Sequence, residues 1–198
     1  LEMYPELTTL ILFGIAGAYI PGPNNIIASH SGFNFGFLKT IPLILGVGFG
    51  WIFILIMFES GLIFVFQQFP ILQSIVKILG TIFIVFLAYK VAFTKMRTTK
   101  ATKAPITFVD TLLLQTVNPQ GILTAMLIVS TFLDPNNNYL RDAIWVTSIM
   151  FIITITSVAF WVLIGKYLRK VATNENFIKI FNYSMSFLLI VCVILFYV

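Results

Sequence analysis

Long apolar stretches alternate with short polar breaks along the whole chain. A helix needs about 20 apolar residues to cross the hydrocarbon layer of a membrane, and six stretches are long enough. They are Leu7–Ser31, Ile41–Phe66, Ile71–Phe93, Phe108–Leu133, Leu140–Ile164 and Phe177–Val198. None alternates with a period of two residues, as the strands of a membrane barrel would. The pattern predicts an all-α integral membrane protein with six transmembrane helices in a single domain, residues 1–198.

Composition excludes the soluble classes of protein. Apolar residues make up 59% of the chain and charged residues 10%, against roughly 45–50% and about 25% in soluble domains. A soluble enzyme, a secreted disulfide scaffold and a disordered chain are therefore excluded. One cysteine and one histidine cannot form a His/Cys metal cluster, so we expect no metal site, and no motif indicates a cofactor. We expect the cysteine, Cys192, to be an apolar filler of the last span.

Positive charges are sorted to one side of the predicted bundle. Ten of the 12 Lys and Arg residues lie in or beside the first, third and fifth loops, whereas Lys77 and Arg141 lie on the other side. Cytoplasmic loops carry the excess of Lys and Arg in membrane proteins. The distribution predicts a cytoplasmic basic loop at 94–107 and N- and C-termini outside. It does not indicate binding to nucleic acid.

The first and fourth spans are each interrupted by proline next to amide side chains. The interruptions are the motifs PGPNN at 21–25 and NPQG at 118–121, and Pro23 and Pro119 lie 96 residues apart. The second and fifth spans are separated by a similar distance. This predicts an internal duplication, with repeat one at about 7–93 and repeat two at about 108–198. Because each repeat has three spans, the second copy is expected in inverted topology.

The paired breaks are the candidate substrate site. Proline lacks an N–H and displaces the carbonyl four residues earlier, and the carbonyls expected to be freed are those of Gly17, Tyr19 and Gln115. The half-helix before each break ends in partial negative charge, and the half-helix after it presents free N–H groups. Such a site binds both ends of a zwitterion, although simple kinking is the alternative. The candidate substrate-binding residues are Pro21, Gly22, Pro23, Asn24, Asn25, Gln115, Asn118, Pro119 and Gln120.

Glu59 is the only carboxylate well inside a predicted span. Intramembrane carboxyl groups often act in proton relays, which makes Glu59 a candidate for proton coupling. The alternative is an ion pair with Lys77, because both residues lie at a similar distance from the turn at 67–70. A paired Glu59 would act as a clamp or an outer gate. The sequence leaves both interpretations open.

Several further residues have structural interpretations. The spacings Gly32/Gly36 and Gly46/Gly50 favour close helix packing inside the bundle, with a homodimer seam as the alternative. His30 is expected at the cytoplasmic end of the first span, as an interfacial or capping residue. The three tryptophans are expected to help set the depth of their helices in the membrane. They are Trp51, Trp145 and Trp161.

The proline motif at 21–25 resembles the signature of the lysine exporter superfamily (LysE/RhtB). The resemblance continues over essentially the whole chain. Further matching segments are 31–32, 36–37, Gly46, Gly50, 77–80 and 118–119. The segments 115–118 and 130–132 look most like the branch that exports cysteine and O-acetylserine.

The resemblance implies a secondary transporter in the bacterial inner membrane that exports small zwitterionic amino acids or derivatives. Its implied partners are the amino-acid-like substrate, protons and the lipid bilayer. The alternative is an exporter of a metal ion or another small solute on a similar fold. A metal exporter needs carboxylate, His or Cys ligands facing one another, and the spans offer few. A membrane enzyme needs a nucleophile and a base at one depth, which the sequence does not provide.

Overall fold

A computed structural model describes residues 5–93, 105–134, 138–171 and 175–195, and the regular secondary structure of these ranges is helical throughout. The helices are α1 (Pro5–Tyr19), α2 (Pro23–Phe35), α3 (Phe37–Met57), α4 (Ile63–Gln68), α5 (Ile71–Ala92), α6 (Phe108–Val117), α7 (Pro119–Phe132), α8 (Tyr139–Val171) and α9 (Glu175–Leu195). Four helical stretches of the described ranges are long and apolar enough to cross a membrane, or up to six if each bent pair is one span. The predicted all-helical membrane class is confirmed.

The predicted breaks in the first and fourth spans are confirmed. Helices α1 and α2 meet at an angle of 56°, and α6 and α7 meet at 63°. Pro23 is the first residue of α2 and Pro119 is the first residue of α7. Proline suits this position, because the first N–H of a helix has no partner within the helix. Each proline motif therefore ends one half-helix and begins another.

The predicted polar loop at 31–40 is wrong, because this segment is helical except at Gly36. Gly36 has a φ of 77°, a left-handed conformation that glycine adopts without strain. The polar side chains here find partners inside the bundle. Thr40 donates to the Gly36 carbonyl at 2.8 Å, and its oxygen lies 3.1 Å from that of Ser31. The chain therefore turns from α2 into α3 at a single residue.

The predicted break at 165–176 is also too long, because α8 continues to Val171. Gly165 packs inside the bundle, so the helix cannot end before it. Of the loop predicted at 94–107, residues 94–104 lie outside the described residues. Thr107 begins α6 with a capping box: its hydroxyl accepts from the Asp110 N–H at 3.1 Å, and its own N–H donates to the Asp110 carboxylate at 2.9 Å.

A π-helical turn, Phe58–Leu62, joins α3 to α4. The sequence analysis treated this region as one continuous span. Gly61 in the turn has a φ of 110°, which favours glycine. A π turn interrupts the regular ladder of backbone hydrogen bonds, and such turns occur frequently at functional sites. Glu59, the candidate coupling residue, lies within it.

Two large clusters of buried apolar side chains divide the described part of the bundle. The Phe58 cluster consists of Leu10, Trp51, Ile54, Leu55, Phe58, Ile63, Phe66, Ile122, Ala125, Ile128, Val129, Phe132, Leu133, Ala143, Val146, Met150 and Ile153. The Leu114 cluster consists of Ile26, Ile27, Ala28, Leu43, Ile44, Val47, Ile84, Leu87, Ala88, Val91, Ile106, Leu114, Val158, Val162 and Leu189. The parts of the bundle around them are called the Phe58 half and the Leu114 half below.

Glycines bring helices into backbone contact in the Leu114 half. A Cβ atom on Gly32 of α2 would overlap the backbone of Val162 on α8. Conversely, a Cβ atom on Gly165 of α8 would overlap the backbone of Ser29 on α2. Gly46 meets α6 in the same way. The prediction of close packing is confirmed for Gly32, Gly46 and Gly50, and is wrong for Gly36, where a Cβ would meet no atom within 4 Å because this residue forms the turn between α2 and α3.

Candidate substrate site between the broken helices

The two helix breaks face one another across a cavity of about 150 Å³. Its wall includes Trp51 and Met150 from the Phe58 cluster and Val47 and Val158 from the Leu114 cluster, so the cavity lies at the boundary of the two halves. Seven of the predicted site residues line it. They are Gly22, Pro23, Asn24, Asn25, Gln115, Asn118 and Gln120. The other two, Pro21 and Pro119, line a neighbouring cavity of about 600 Å³.

A reciprocal pair of amides links the two breaks directly. The Asn24 side-chain amide donates to Oε1 of Gln115 at 3.2 Å, and the Gln115 amide donates to Oδ1 of Asn24 at 2.8 Å. Gln115 is buried and Asn24 is half-buried. The pair connects the start of α2 with the end of α6, which belong to different predicted repeats. Both residues were predicted for the site, but their pairing across it was not.

Side chains satisfy the backbone where α1 ends. Asn25 donates to the carbonyl of Ala18 at 2.7 Å and to that of Ile20 at 2.8 Å. Ser157 of α8 also donates to the Ala18 carbonyl, at 2.7 Å. The last carbonyls of a helix have no partner within it, so they take such side-chain donors. The carbonyls that accept these bonds belong to Ala18 and Ile20. Each lies one residue after a carbonyl that the sequence predicted to be freed, that of Gly17 or Tyr19.

The expectation that the Gln115 carbonyl is freed is wrong. It accepts a hydrogen bond from the Asn118 N–H at 3.3 Å, because the chain turns tightly between α6 and α7. The proline at the start of α7 still removes a donor from this turn.

The N-termini of α2 and α7 both point their first turns at the cavity region. Within the described residues, neither helix has a side-chain hydrogen bond at its N-cap, and residues 22–25 and 120–121 of the two starts line the cavity. An uncapped helix start carries free N–H groups and about half a positive charge. Two such starts favour an anionic group, such as a carboxylate, in the space between them.

Two buried polar atoms in the cavity wall lack a hydrogen-bond partner among the described residues. They are Nε1 of Trp51 and Oδ1 of Asn118. Trp51 is 7% exposed and Asn118 is 3% exposed. From the sequence, Trp51 was expected only to help set the depth of its helix; in the structure its indole is buried inside the bundle, in the wall of the cavity. Only its position in an apolar span opposite the breaks could have indicated a role in the site.

Gln120 separates the site from the larger neighbouring cavity. Its side chain is exposed, and its Oε1 lies 3.0 Å from where a Cβ on Gly22 would stand. Both residues line both cavities. Lys77 and Cys192 also line the larger cavity. Cys192 is half-buried and packs against the Leu114 cluster, as expected of an apolar filler of the last span.

Glu59 lies away from these cavities. Its carboxylate accepts hydrogen bonds from the Thr147 hydroxyl, at 2.9 Å and 3.0 Å to its two oxygens. Its carbonyl accepts from the hydroxyl of Tyr139. Both partners belong to α8, so the π-helical turn is fastened to the second predicted repeat. Lys77, the alternative partner, lines the larger cavity.

The interfacial position expected for His30 is wrong. His30 is 2% exposed and lies inside α2, which continues for more than a turn beyond it to Phe35. The same helix packs against α3, α5, α8 and α9. The described residues contain no group of three or more His, Cys, Asp or Glu side chains that could hold a metal ion.

Comparison with known proteins identifies the family of the chain. The family described as LysE type translocator matches residues 15–198. Proteins named cysteine/O-acetylserine efflux protein are 26% identical in Escherichia coli O139:H28 (strain E24377A / ETEC) and 25% identical in Escherichia coli (strain K12) and Shigella flexneri serotype 5b (strain 8401), each over 95% of both chains. No solved structure matches the chain. The family match includes both helix breaks, from the end of α1 onward, and the whole cavity wall apart from its first two residues, and the chain belongs to the LysE family of translocators.

Proposed function

We propose that the protein exports small zwitterionic amino acids or their derivatives through the cavity between the two breaks. The observation that carries this proposal is the convergence of two uncapped helix starts on a small cavity. Among the described residues, the wall contains no acidic or basic side chain. Backbone dipoles and amides can therefore balance the two charges of a zwitterion without a fixed net charge. The names of the relatives support cysteine-like or serine-like substrates.

The proposed topology is six spans in two inverted repeats, α1–α5 and α6–α9. In support, α2 contacts α8 and α3 contacts α6, while α1 also contacts α8 and α3 also contacts α7. If the two repeats are exchanged, the α2–α8 contact becomes the α3–α7 contact, and the α3–α6 contact becomes the α1–α8 contact. We place the protein in the bacterial inner membrane, with the Leu114 half towards the cytoplasm and both termini outside, because most Lys and Arg residues lie at that end.

Two exposed positions test the orientation. Leu38 lies at the start of α3 and is 79% exposed, and Leu140 lies at the start of α8 and is 74% exposed. Each would be changed to cysteine in a Cys192→Ser background. An impermeant thiol reagent applied to intact cells should label Leu140→Cys and leave Leu38→Cys unlabelled. The reverse pattern would overturn the orientation.

Transport in liposomes tests the function itself. Purified protein should exchange external labelled serine, cysteine or O-acetylserine for internal unlabelled substrate. Asn118→Leu should greatly reduce this exchange, because the change removes the amide from the cavity wall. Ser130→Ala is the control, since this exposed hydroxyl lies outside the wall and bonds to its own helix. A folded wild-type protein that exchanges none of these amino acids would contradict the proposal.

Proton coupling is part of the proposal, with Glu59 as the coupling residue. In support, Glu59 is an intramembrane carboxylate in a π-helical turn, and its partner Thr147 lies on a helix that lines the cavity. A change in the protonation of Glu59 would therefore act on the contact between the π-helical turn and α8.

A further inference from the structure

We infer that Trp51 determines the specificity of the site, with its indole N–H bound to the carboxylate of the substrate and Oδ1 of Asn118 bound to the ammonium group. This inference rests on the proposed export function and deepens it. It names the residues that read the two ends of an α-amino acid.

The first step is that the two side chains that carry the unpartnered atoms, Trp51 and Asn118, line the same cavity and meet at one stretch of its wall. Gly121 lies in the first turn of α7. A Cβ on Gly121 would lie 3.6 Å from Cζ3 of Trp51 and 3.6 Å from Nδ2 of Asn118. The indole and the amide therefore border the same small gap, which exists because residue 121 has no side chain.

The second step is that the two atoms have opposite hydrogen-bonding character. An indole N–H only donates, and an amide oxygen only accepts. Both atoms are buried without a partner in the described part of the chain, and such groups are rare in native proteins unless something else satisfies them. One occupant that satisfies both must carry an acceptor and a donor close together.

The third step is the charge of the surroundings. The gap lies at the start of α7, whose free N–H groups favour a negative group beside the indole. An amine without a carboxylate would leave the Trp51 N–H unpaired, and a carboxylic acid without an amine would leave Asn118 unpaired. A substrate with an additional charge finds no acidic or basic partner among the described wall residues. An α-amino acid with a neutral side chain meets every condition.

The fourth step is size. The cavity of about 150 Å³ is smaller than the pockets of about 300–1,000 Å³ that bind drug-sized ligands. The side chain of the substrate would lie among Phe13, Met150, Thr124 and Thr154, which together offer apolar surface and two hydroxyl groups. This lining fits a short, weakly polar side chain. We therefore expect serine-sized and cysteine-sized substrates to bind better than phenylalanine, lysine or glutamate.

Trp51→Phe tests the inference, because it removes the N–H and keeps an aromatic ring. The matched control is Trp161→Phe. The Nε1 atom of Trp161 is also buried without a partner in the described residues, but Trp161 does not line the cavity. Liposome exchange should show a Km for serine or cysteine that is raised about ten- to hundredfold in Trp51→Phe, as expected for a lost hydrogen bond to a charged group, and unchanged in Trp161→Phe.

A competition assay separates recognition from a structural effect. Wild-type exchange of serine should be inhibited far less by ethanolamine, which lacks the carboxylate, than by serine itself. In Trp51→Phe this preference should shrink about tenfold or more, because only the carboxylate loses a partner. An equal loss for both compounds would mean that Trp51 acts only through the fold, and would overturn the inference.

Gly121→Ala provides an independent test. The added methyl group would make ordinary van der Waals contacts with Trp51 and Asn118, so the variant should melt at the wild-type temperature while losing most of its exchange. Full exchange by this variant, or equal Km values for Trp51→Phe and Trp161→Phe, would overturn the inference and leave the proposed function intact. An inactive but folded wild-type protein would instead remove the proposed function.

Discussion

The two halves of the molecule use similar bent helices in different ways. In the Leu114 half, α2 and α8 meet at backbone distance through Gly32 and Gly165. In the Phe58 half, α1 lies beside the cavity, and a Cβ on Gly17 would meet no atom within 4 Å. The Leu114 half is closed by direct backbone packing, whereas α1 contacts only side chains of α8 at Gly14 and leaves space next to the site at Gly17.

The proposed duplication pairs Gly32 with a much larger residue. The residue 96 positions after Gly32 is Ile128, which is buried in the Phe58 cluster. A branched side chain there keeps α7 from approaching its neighbours as closely as α2 does. Under the proposed duplication, the two halves therefore pack differently at equivalent positions. The Asn24–Gln115 pair lies at the boundary of the two halves. We expect this pair to close the cavity towards the Leu114 half.

The largest effect is expected from separating α2 and α8 in the Leu114 half. Gly32→Ala places a methyl group against the backbone of Val162, so α2 and α8 must separate. Such overpacking costs about 1–3 kcal/mol or more, because backbone cannot move aside as a side chain can. The thermal unfolding temperature of the purified protein should fall clearly below that of wild type. Gly17→Ala is the control, and equal unfolding temperatures for the two variants would contradict the comparison.

The next effect concerns the amide pair at the boundary. Asn24→Leu or Gln115→Leu leaves the other amide without its partner, at a cost of about 1–3 kcal/mol. Each single variant should be less stable and should leak substrate through the Leu114 half. The double variant Asn24→Gln with Gln115→Asn keeps two complementary amides of the same total length. This double variant should recover most of the lost stability and most of the resistance to substrate leakage. If it recovers neither, the amide pair is not the contact that closes the cavity.

Much of this arrangement follows from local sequence. The prolines at 21, 23 and 119 lack the N–H that a helix interior requires, which favours the breaks, whereas Pro42 is accommodated inside α3. The apolar lengths likewise favour the helices. The partners of Asn24 and Asn25 could not be read from the sequence, because they depend on how α2 packs against α6 and on where α1 ends.

A smaller effect is expected at the π-helical turn of the Phe58 half. Glu59→Gln keeps a group that can bond to Thr147 but cannot carry a proton. It should lose gradient-driven accumulation in liposomes and keep substrate-for-substrate exchange. Thr147→Val is the companion variant, and should cost about 1 kcal/mol of stability while retaining coupling. Loss of both activities in Glu59→Gln, together with loss of stability, would assign Glu59 a structural role.

The smallest effect is expected from an ion pair of the Leu114 half. Lys90 and Asp110 lie 3.3 Å apart, with side chains 38% and 31% exposed. Solvent-exposed pairs contribute about 0–1 kcal/mol. Lys90→Met should therefore change the unfolding temperature much less than Gly32→Ala. A larger effect of Lys90→Met would mean that charge, rather than helix packing, holds this half together.

Sequence reasoning failed where tertiary contacts override a local signal. Gly36 lies in a polar stretch that resembles a loop, but Ser31 and Thr40 bond to each other and let the helices continue. The π-helical turn has no pattern of its own in an apolar span. His30 was placed at the membrane interface by residue type, and Trp51 was expected only to help set helix depth, although both side chains are buried in the structure.

The most direct test of the account is the accessibility of the cavity itself. Thr154 lines the cavity on α8, and Thr154→Cys in a Cys192→Ser background carries one thiol. The rate of its reaction with an impermeant reagent would be measured in intact cells and in inverted membrane vesicles, with and without serine. The account predicts faster labelling from outside the cell and slower labelling when serine is present. Labelling that is equal from both sides and insensitive to serine would contradict it.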